Sequence, residues 1–392
     1  MTISSYIASS MSKASWIRKM FETGNELRKK YGNENVFDFT LGNPTAPPPE
    51  KFNQVLKETA LSTEKGVHRY MSNSGLESTR KSVADALNVD TEKHISPENV
   101  IMTVGAAGAL NITLKSLIDP GDEVIFMVPY FPEYHFYVEN HCGKAVTVET
   151  DEHFQVVPDA IRAALTNKTR ALILNTPNNP TGVIYKRSTL EKINSILLEH
   201  KRNTGHTVYV ISDEPYRKLI YEGVKIPSTI DIFNDIIFCT SHSKDLGLPG
   251  ERIGFAVVAP GCDDEKELIN ALIFCNRTLG YVNAPAFMQR IVGKLQTETV
   301  NINEYEEKRN IFYEGLMEAG YELVKPEGAF YLFPKSPVDD DVKFVQALVE
   351  EKILAVPGSG FGRKGFFRLS YCLDFSTIQR SIPIFKRVLD HF

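Results

Sequence analysis

The chain has 392 residues, more than one compact core ordinarily holds, so two domains are expected. Hydrophobic residues make up 42% and charged residues 24%, an ordinary globular balance, and a net charge of −5 gives no electrostatic reason to expect nucleic acid or an anionic membrane as partner. Five cysteines without a C-x-x-C pair argue against a zinc site or disulfide framework; no apolar run spans a bilayer or makes a signal peptide, so a cytoplasmic protein with reduced thiols is expected.

In chain order, residues 13–30 (KASWIRKMFETGNELRKK) carry apolar residues at helical spacing until Gly32 breaks the pattern. VFDFTLGNPTAPPPE reads as a short strand running into a Pro-rich loop. From about 96 to 260, short apolar runs (NVIMTV, EVIFMV, KAVTVE, RALILN, TVYVIS, DIIFCT, FAVVAP) alternate with helical stretches. Their unbroken apolarity predicts strands buried on both faces, in a mainly parallel sheet wrapped by helices. A long helical region follows over 264–319, interrupted near GYVNAP at Gly280 and Pro285. The last part alternates YELVKP, AFYLFP, ILAVPG and FFRLSY with helices over 340–352 and 376–391, a smaller α+β domain. The expected division is an N-terminal segment 1–46 packing on the small domain or on a second subunit, a large domain 47–283 and a small domain 284–392.

Five segments carry chemistry. SHSKDLGLPGERIG (241–254) follows a buried strand and so lies at the carboxyl end of the sheet, where open α/β sheets bind ligands. Ser241, Ser243 and Arg252 suit a phosphate, and Lys244 suits an imine with an aldehyde; a solvated loop lysine is the plainer alternative. Asp213, in ISDEPYRKLIY, puts a carboxylate at the same edge, fit to keep a pyridine nitrogen protonated or simply to cap a helix. Tyr216 follows three residues later, a donor for the ring's phenolic oxygen. NTPNNPTG (175–182) is a tight turn, with Asn179 a candidate to hydrogen-bond a cofactor or a substrate carboxylate. In MTVGAAGAL, the backbone N–H groups of Gly105, Ala106 and Ala107 at a helix start form an anion site. Phe131, in PYFPEY, stacks on a ring or packs in the core. Arg368 lies inside an apolar strand, so it either pairs with an internal carboxylate or awaits a carboxylate ligand.

Taken in order, LGNP, HRY, TVGAAGAL, IDPGDEV, PYFPEY, NTPNNPTG, SDEPY, SHSKDLGLPGERIG, PEGAFYLF, PGSGFG and FRLSY resemble fold-type I pyridoxal-phosphate (PLP) enzymes of the class I/II aminotransferases, from about Phe37 to Tyr371. The resemblance implies an α/β fold with a small domain formed by both termini. It implies PLP on Lys244, Asp213 at the pyridinium, Tyr216 and Asn179 at the phenolic oxygen, and Phe131 on the ring. It further implies phosphate on Ser241, Ser243, Arg252 and the Gly105–Ala107 turn. Tyr70 would reach the phosphate of a neighbouring subunit, so a homodimer with shared sites is implied. Arg368 and the backbone at Gly42 would hold the substrate α-carboxylate. Ala106 and Ala107 stand where relatives often have longer polar side chains, leaving the backbone alone to serve there.

The implied reaction moves an amino group from an L-amino acid to a 2-oxo acid in ping-pong fashion, with 2-oxoglutarate as acceptor. Lys115 and Arg290 are candidates to read a second carboxylate, which makes aspartate the first donor expected; each is equally a solvated helix cation. The competing expectations are a transaminase for alanine, aromatic or other neutral amino acids, and a cysteine-sulfur β-lyase on the same scaffold. A ligand-sensing domain of a transcription regulator is a third class, for which the sequence before Phe37 leaves no room for a DNA-binding module.

Overall fold

A computed structural model describes residues 2–13 and 16–392. The expected helix at 13–30 appears as Trp16–Tyr31, preceded by Ser5–Lys13; Ala14 and Ser15 lie outside the described residues. Strand β1 (Phe37–Asp38) follows, after which the apolar runs form β2 (Val100–Thr103), β3 (Glu123–Val128), β4 (Lys144–Glu149), β5 (Thr169–Asn175), β6 (Tyr209–Asp213), β7 (Ile236–Ser241) and β8 (Gly254–Val258). They make one seven-stranded sheet in the order β2-β8-β7-β6-β5-β3-β4. Every pairing is parallel except those of β8, which runs antiparallel to both β2 and β7.

That exception matters to the site. The parallel strands β5, β6 and β7 end at Asn175, Asp213 and Ser241 on one edge of the sheet. Because β8 is reversed, it starts at the same edge and brings Arg252 there from the turn before it. The strand β2 also points that way and delivers the helix Gly105–Leu117.

Two cores flank the sheet, one including Val100, Leu172, Val210 and Phe238, the other Ile101, Phe126, Ile173 and Ile237. A third core is built around Phe39, Phe312, Phe344, Leu369 and Phe385. There β9 (Tyr331–Leu332), β11 (Val356–Pro357) and β12 (Phe367–Ser370) form a small antiparallel sheet, and β10 (Ile353–Leu354) pairs in parallel with β1. Phe37 and Phe39, near the N-terminus, are thereby built into the C-terminal core.

Ala284, Met288, Ile291 and Leu295 pack in one core with Phe52 and Val83, and Phe333, Val356 and Phe361 join the same core from later in the chain. The structure departs from expectation in two places. The helical region breaks twice, giving Glu265–Thr278, Ala286–Val292 and Ile302–Ala319. The second break is fixed by tertiary bonds: Lys218 Nζ donates to the carbonyls of Gln296 and Glu298, and the Val300 N–H donates to Asp245 O. YELVKP is not a strand; its Tyr321 hydroxyl instead donates to the Phe385 carbonyl, tying it to the last helix, Phe375–Leu389.

Candidate active site

At the strand-end edge a cavity of about 370 Å³ opens, a size suited to a small cofactor and substrate. Its wall includes Gly42, Ala106, Ala107, Phe131, Asn179, Asp213, Tyr216, Ser241, Ser243, Lys244, Arg252 and Arg368. A larger cavity of about 750 Å³ lies beside it, lined by Glu214, Arg217, Lys218, His242 and Asp245. Those charges largely satisfy one another, as in Arg217–Glu214 at 2.9 Å and His242–Asp245 at 3.1 Å, so size alone misleads. The smaller cavity holds the reactive set.

Lys244 sits in the short helix His242–Asp245 directly after β7, and its Nζ donates to the Gly42 carbonyl at 2.7 Å. Its pKa is lowered to about 8, mainly by burial; the nearby Cys372 thiol opposes the shift, and the charges of Arg368 and Arg252 add to it. An amine so tuned is available as a base near neutral pH. Gly42 is required by close approach: a Cβ there would stand 2.0 Å from the Tyr331 hydroxyl.

Asp213 closes β6, fully inside the protein. Its Oδ2 accepts from the Tyr134 hydroxyl, whereas Oδ1 is buried with no hydrogen-bond partner among the described residues. Burial raises its pKa to about 7, against the pull of Tyr134 and with a small push from Glu214. An open carboxylate oxygen of this kind fits a cationic ring N–H. No helix follows Asp213, so the capping alternative falls away. Asn175 positions its neighbours: Nδ2 donates to the Asp213 carbonyl at 2.8 Å, and Oδ1 accepts from the Asn179 N–H at 2.7 Å.

The anion-binding end comes from the helix Gly105–Leu117 with Arg252, Ser241 and Ser243. Gly105 has φ +79°, and a Cβ on it would lie 3.0 Å from the Arg252 guanidinium, so glycine lets that side chain lie across the helix start. Unsatisfied N–H groups at a helix N-terminus and a guanidinium together suit a phosphate. Phe131 lines the cavity edge-on to Tyr134, with ring centroids 5.6 Å apart.

Arg368, on β12, donates to the Thr40 carbonyl at 2.6 Å and to Asn179 Oδ1 at 3.1 Å, between the rings of Tyr331 and Phe361. It pairs with no carboxylate among the described residues, and its buried Nε is left without a partner. Tyr216 is buried, its hydroxyl 2.9 Å from that of Tyr331.

Three expected residues lie elsewhere. Lys115, in the last turn of its helix, points to solvent, and Arg290 pairs with Glu64 at 3.3 Å; neither lines the cavity. The phase of each helix turns the cation away from this chain's own cavity. Tyr70 is 92% exposed, beside His68, Arg69 and Tyr281, away from this chain's own cavity. Tyr134, Asn175, Tyr331 and Glu133 border the site without having been assigned from the sequence. Tyr134 and Glu133 stood in the PYFPEY motif, where the first turn of the helix Glu133–Asn140 marked them out.

The sequence matches the model of aminotransferase class I and II over residues 34–382. The chain belongs to this family. It is 34% identical to an aspartate aminotransferase of Thermotoga maritima over 91% of each chain. It is 32% identical to an aromatic-amino-acid aminotransferase of Thermococcus litoralis, over 97% of this chain and 96% of that one. A crystal structure of an aminotransferase from Eubacterium rectale superposes with a TM-score of 0.97 at 38% identity, covering 100% of this chain and 99% of that one. The chain is therefore a PLP-dependent aminotransferase of fold type I. Among the described residues, no helix is long and apolar enough to cross a membrane.

Proposed function

We propose that this aminotransferase takes the amino group of L-aspartate and passes it to 2-oxoglutarate, by a ping-pong sequence at the cavity around Lys244. One observation carries the reading: a lysine amine poised near neutrality and the open oxygen of Asp213 share one small cavity at the strand ends. Bound there, PLP supplies a carbonyl carbon for an amine and a protonated ring that withdraws electrons from the substrate α-carbon. Asp213 Oδ1 holds the ring nitrogen protonated. Ser241, Ser243, Arg252 and the N–H groups at Gly105, Ala106 and Ala107 hold the phosphate. Asn179 and Tyr216 hold the phenolic oxygen, and Phe131 covers the ring. Arg368 and the Gly42 backbone hold the α-carboxylate, which orients the Cα–H toward Lys244 Nζ. That nitrogen takes the α-proton from the amino donor in the first half-reaction and delivers a proton to the α-carbon of the acceptor in the second.

The exposure of Tyr70 supports a homodimer in which its hydroxyl serves the partner's phosphate site. The five free cysteines support a reducing, cytoplasmic setting. A neutral donor is the second reading, because Lys244, Arg252 and Arg368 are the only basic side chains lining the cavity, among the described residues. Steady-state kcat/KM for aspartate, alanine and phenylalanine, with and without 2-oxoglutarate, separates the readings. Aspartate is expected to lead by about tenfold or more, and only with the oxo acid present. A lead for alanine or phenylalanine rejects aspartate, and pyruvate released from cysteine without an acceptor indicates a lyase.

A further inference from the structure

The cavity contains one acid besides Asp213. Glu133, the first residue of the helix after Phe131, lines the same wall, and its Oε2 is buried without a hydrogen-bond partner among the described residues. A buried, unsatisfied carboxyl oxygen facing a ligand cavity is costly unless a ligand completes it. Arg368 lies near enough for its charge to act on Glu133, yet the two form no ion pair among the described residues. A buried guanidinium nitrogen and a buried carboxyl oxygen, each without a partner among the described residues, thus belong to two side chains that line one cavity.

We propose that Glu133 reads the side-chain carboxylate of a dicarboxylic substrate, donating a hydrogen bond from Oε2 as the neutral acid. The assignment rests on the aminotransferase reading above, and supplies a reader for a second carboxylate within the cavity, which Lys115 and Arg290 do not line. Two carboxyl groups brought together share one proton rather than carry two charges, and a carboxylic acid kept neutral becomes a donor. Burial already pushes Glu133 up from the ordinary glutamate range, against its own backbone N–H and Arg368. The groups facing it are Arg368 and Tyr331 from the small core, Tyr137 on its own helix, and Asp213, Lys244 and Arg252 across the cavity. Bringing in a dicarboxylate adds negative charge beside it and favours the protonated form further.

The test uses the PLP-loaded enzyme, wild type against Glu133→Gln and Glu133→Ala. Calorimetric Kd values for maleate and propionate are measured from pH 6 to 9, alongside the aspartate-to-alanine ratio of kcat/KM. Glu133→Ala is expected to weaken maleate relative to propionate, and to lower the ratio, by about tenfold or more. Glutamine is a donor at every pH. Glu133→Gln is therefore expected to keep the preference for maleate over propionate within about threefold of wild type at pH 6, and not to lose it as pH rises. Glu133→Ala binding maleate as well as or better than wild type overturns the proposal, as does Glu133→Gln falling with Glu133→Ala. Should the wild-type enzyme hold PLP but turn over neither aspartate nor alanine, the aminotransferase reading fails and this assignment with it. Should it turn over alanine while the replacements leave both ratios unmoved, the Glu133 assignment alone fails.

Discussion

A carboxylate buried with one oxygen open, as at Asp213, destabilises the fold whenever it is ionised. Its folded pKa of about 7 lies above the unfolded value near 3.9, so the folded state binds the extra proton. Stability of the cofactor-free protein therefore falls as pH rises from about 4 to 7, by on the order of 4 kcal/mol from this group. Asp213→Asn removes the charge and keeps the shape. The cofactor-free variant is expected to melt higher than wild type at pH 8, with the gap narrowing toward pH 4.5 in thermal unfolding. In the loaded protein the order reverses, because the ring nitrogen then loses its anion. A melting point for cofactor-free Asp213→Asn at or below wild type at pH 8 contradicts this. Tyr134 acts one step back. Its hydroxyl lowers the Asp213 pKa, and Tyr134→Phe is expected to weaken PLP binding by about tenfold in equilibrium titrations.

The elements explain why the site forms at all. Three parallel strands end at Asn175, Asp213 and Ser241, and the reversed β8 adds Arg252 at that edge. Gly105 is where backbone and guanidinium pass closest, so Gly105→Ala is expected to displace Arg252 and raise the Kd for PLP by about tenfold or more, with the fold retained by circular dichroism. These strands could be read from the sequence because each is a short apolar run buried on both faces, a signal that survives without knowledge of neighbours. The second helix break could not, since it is held by Lys218 and Asp245 from distant segments. Nor was YELVKP separable from a strand, its apolar residues serving a helix contact instead. Arg368 drew notice because an isolated charge inside an apolar strand demands a partner, and Asp213 and Lys244 because each comes at or just after the end of such a strand. Where Lys115 and Arg290 point was not legible, because a helix cation's direction depends on phase. Tyr134 and Glu133 escaped assignment because aromatic and acidic side chains at a helix start usually need no ligand.

For the molecule as a whole, the exposed Tyr70 and the cavity lined by Asp213, Lys244 and Arg368 belong to one scheme if two chains share each site. Mixing Lys244→Ala chains with Tyr70→Ala chains is then expected to restore activity, because a mixed dimer holds one intact site; no recovery contradicts shared sites. Everything in the scheme depends on a cofactor joined covalently to a single lysine, with the core of both termini folded over it. Borohydride reduction of the PLP-treated protein, followed by peptide mass mapping, tests this directly. The account requires one phosphopyridoxyl group per chain on the peptide containing Lys244. A label on another lysine, or none at all, would contradict it.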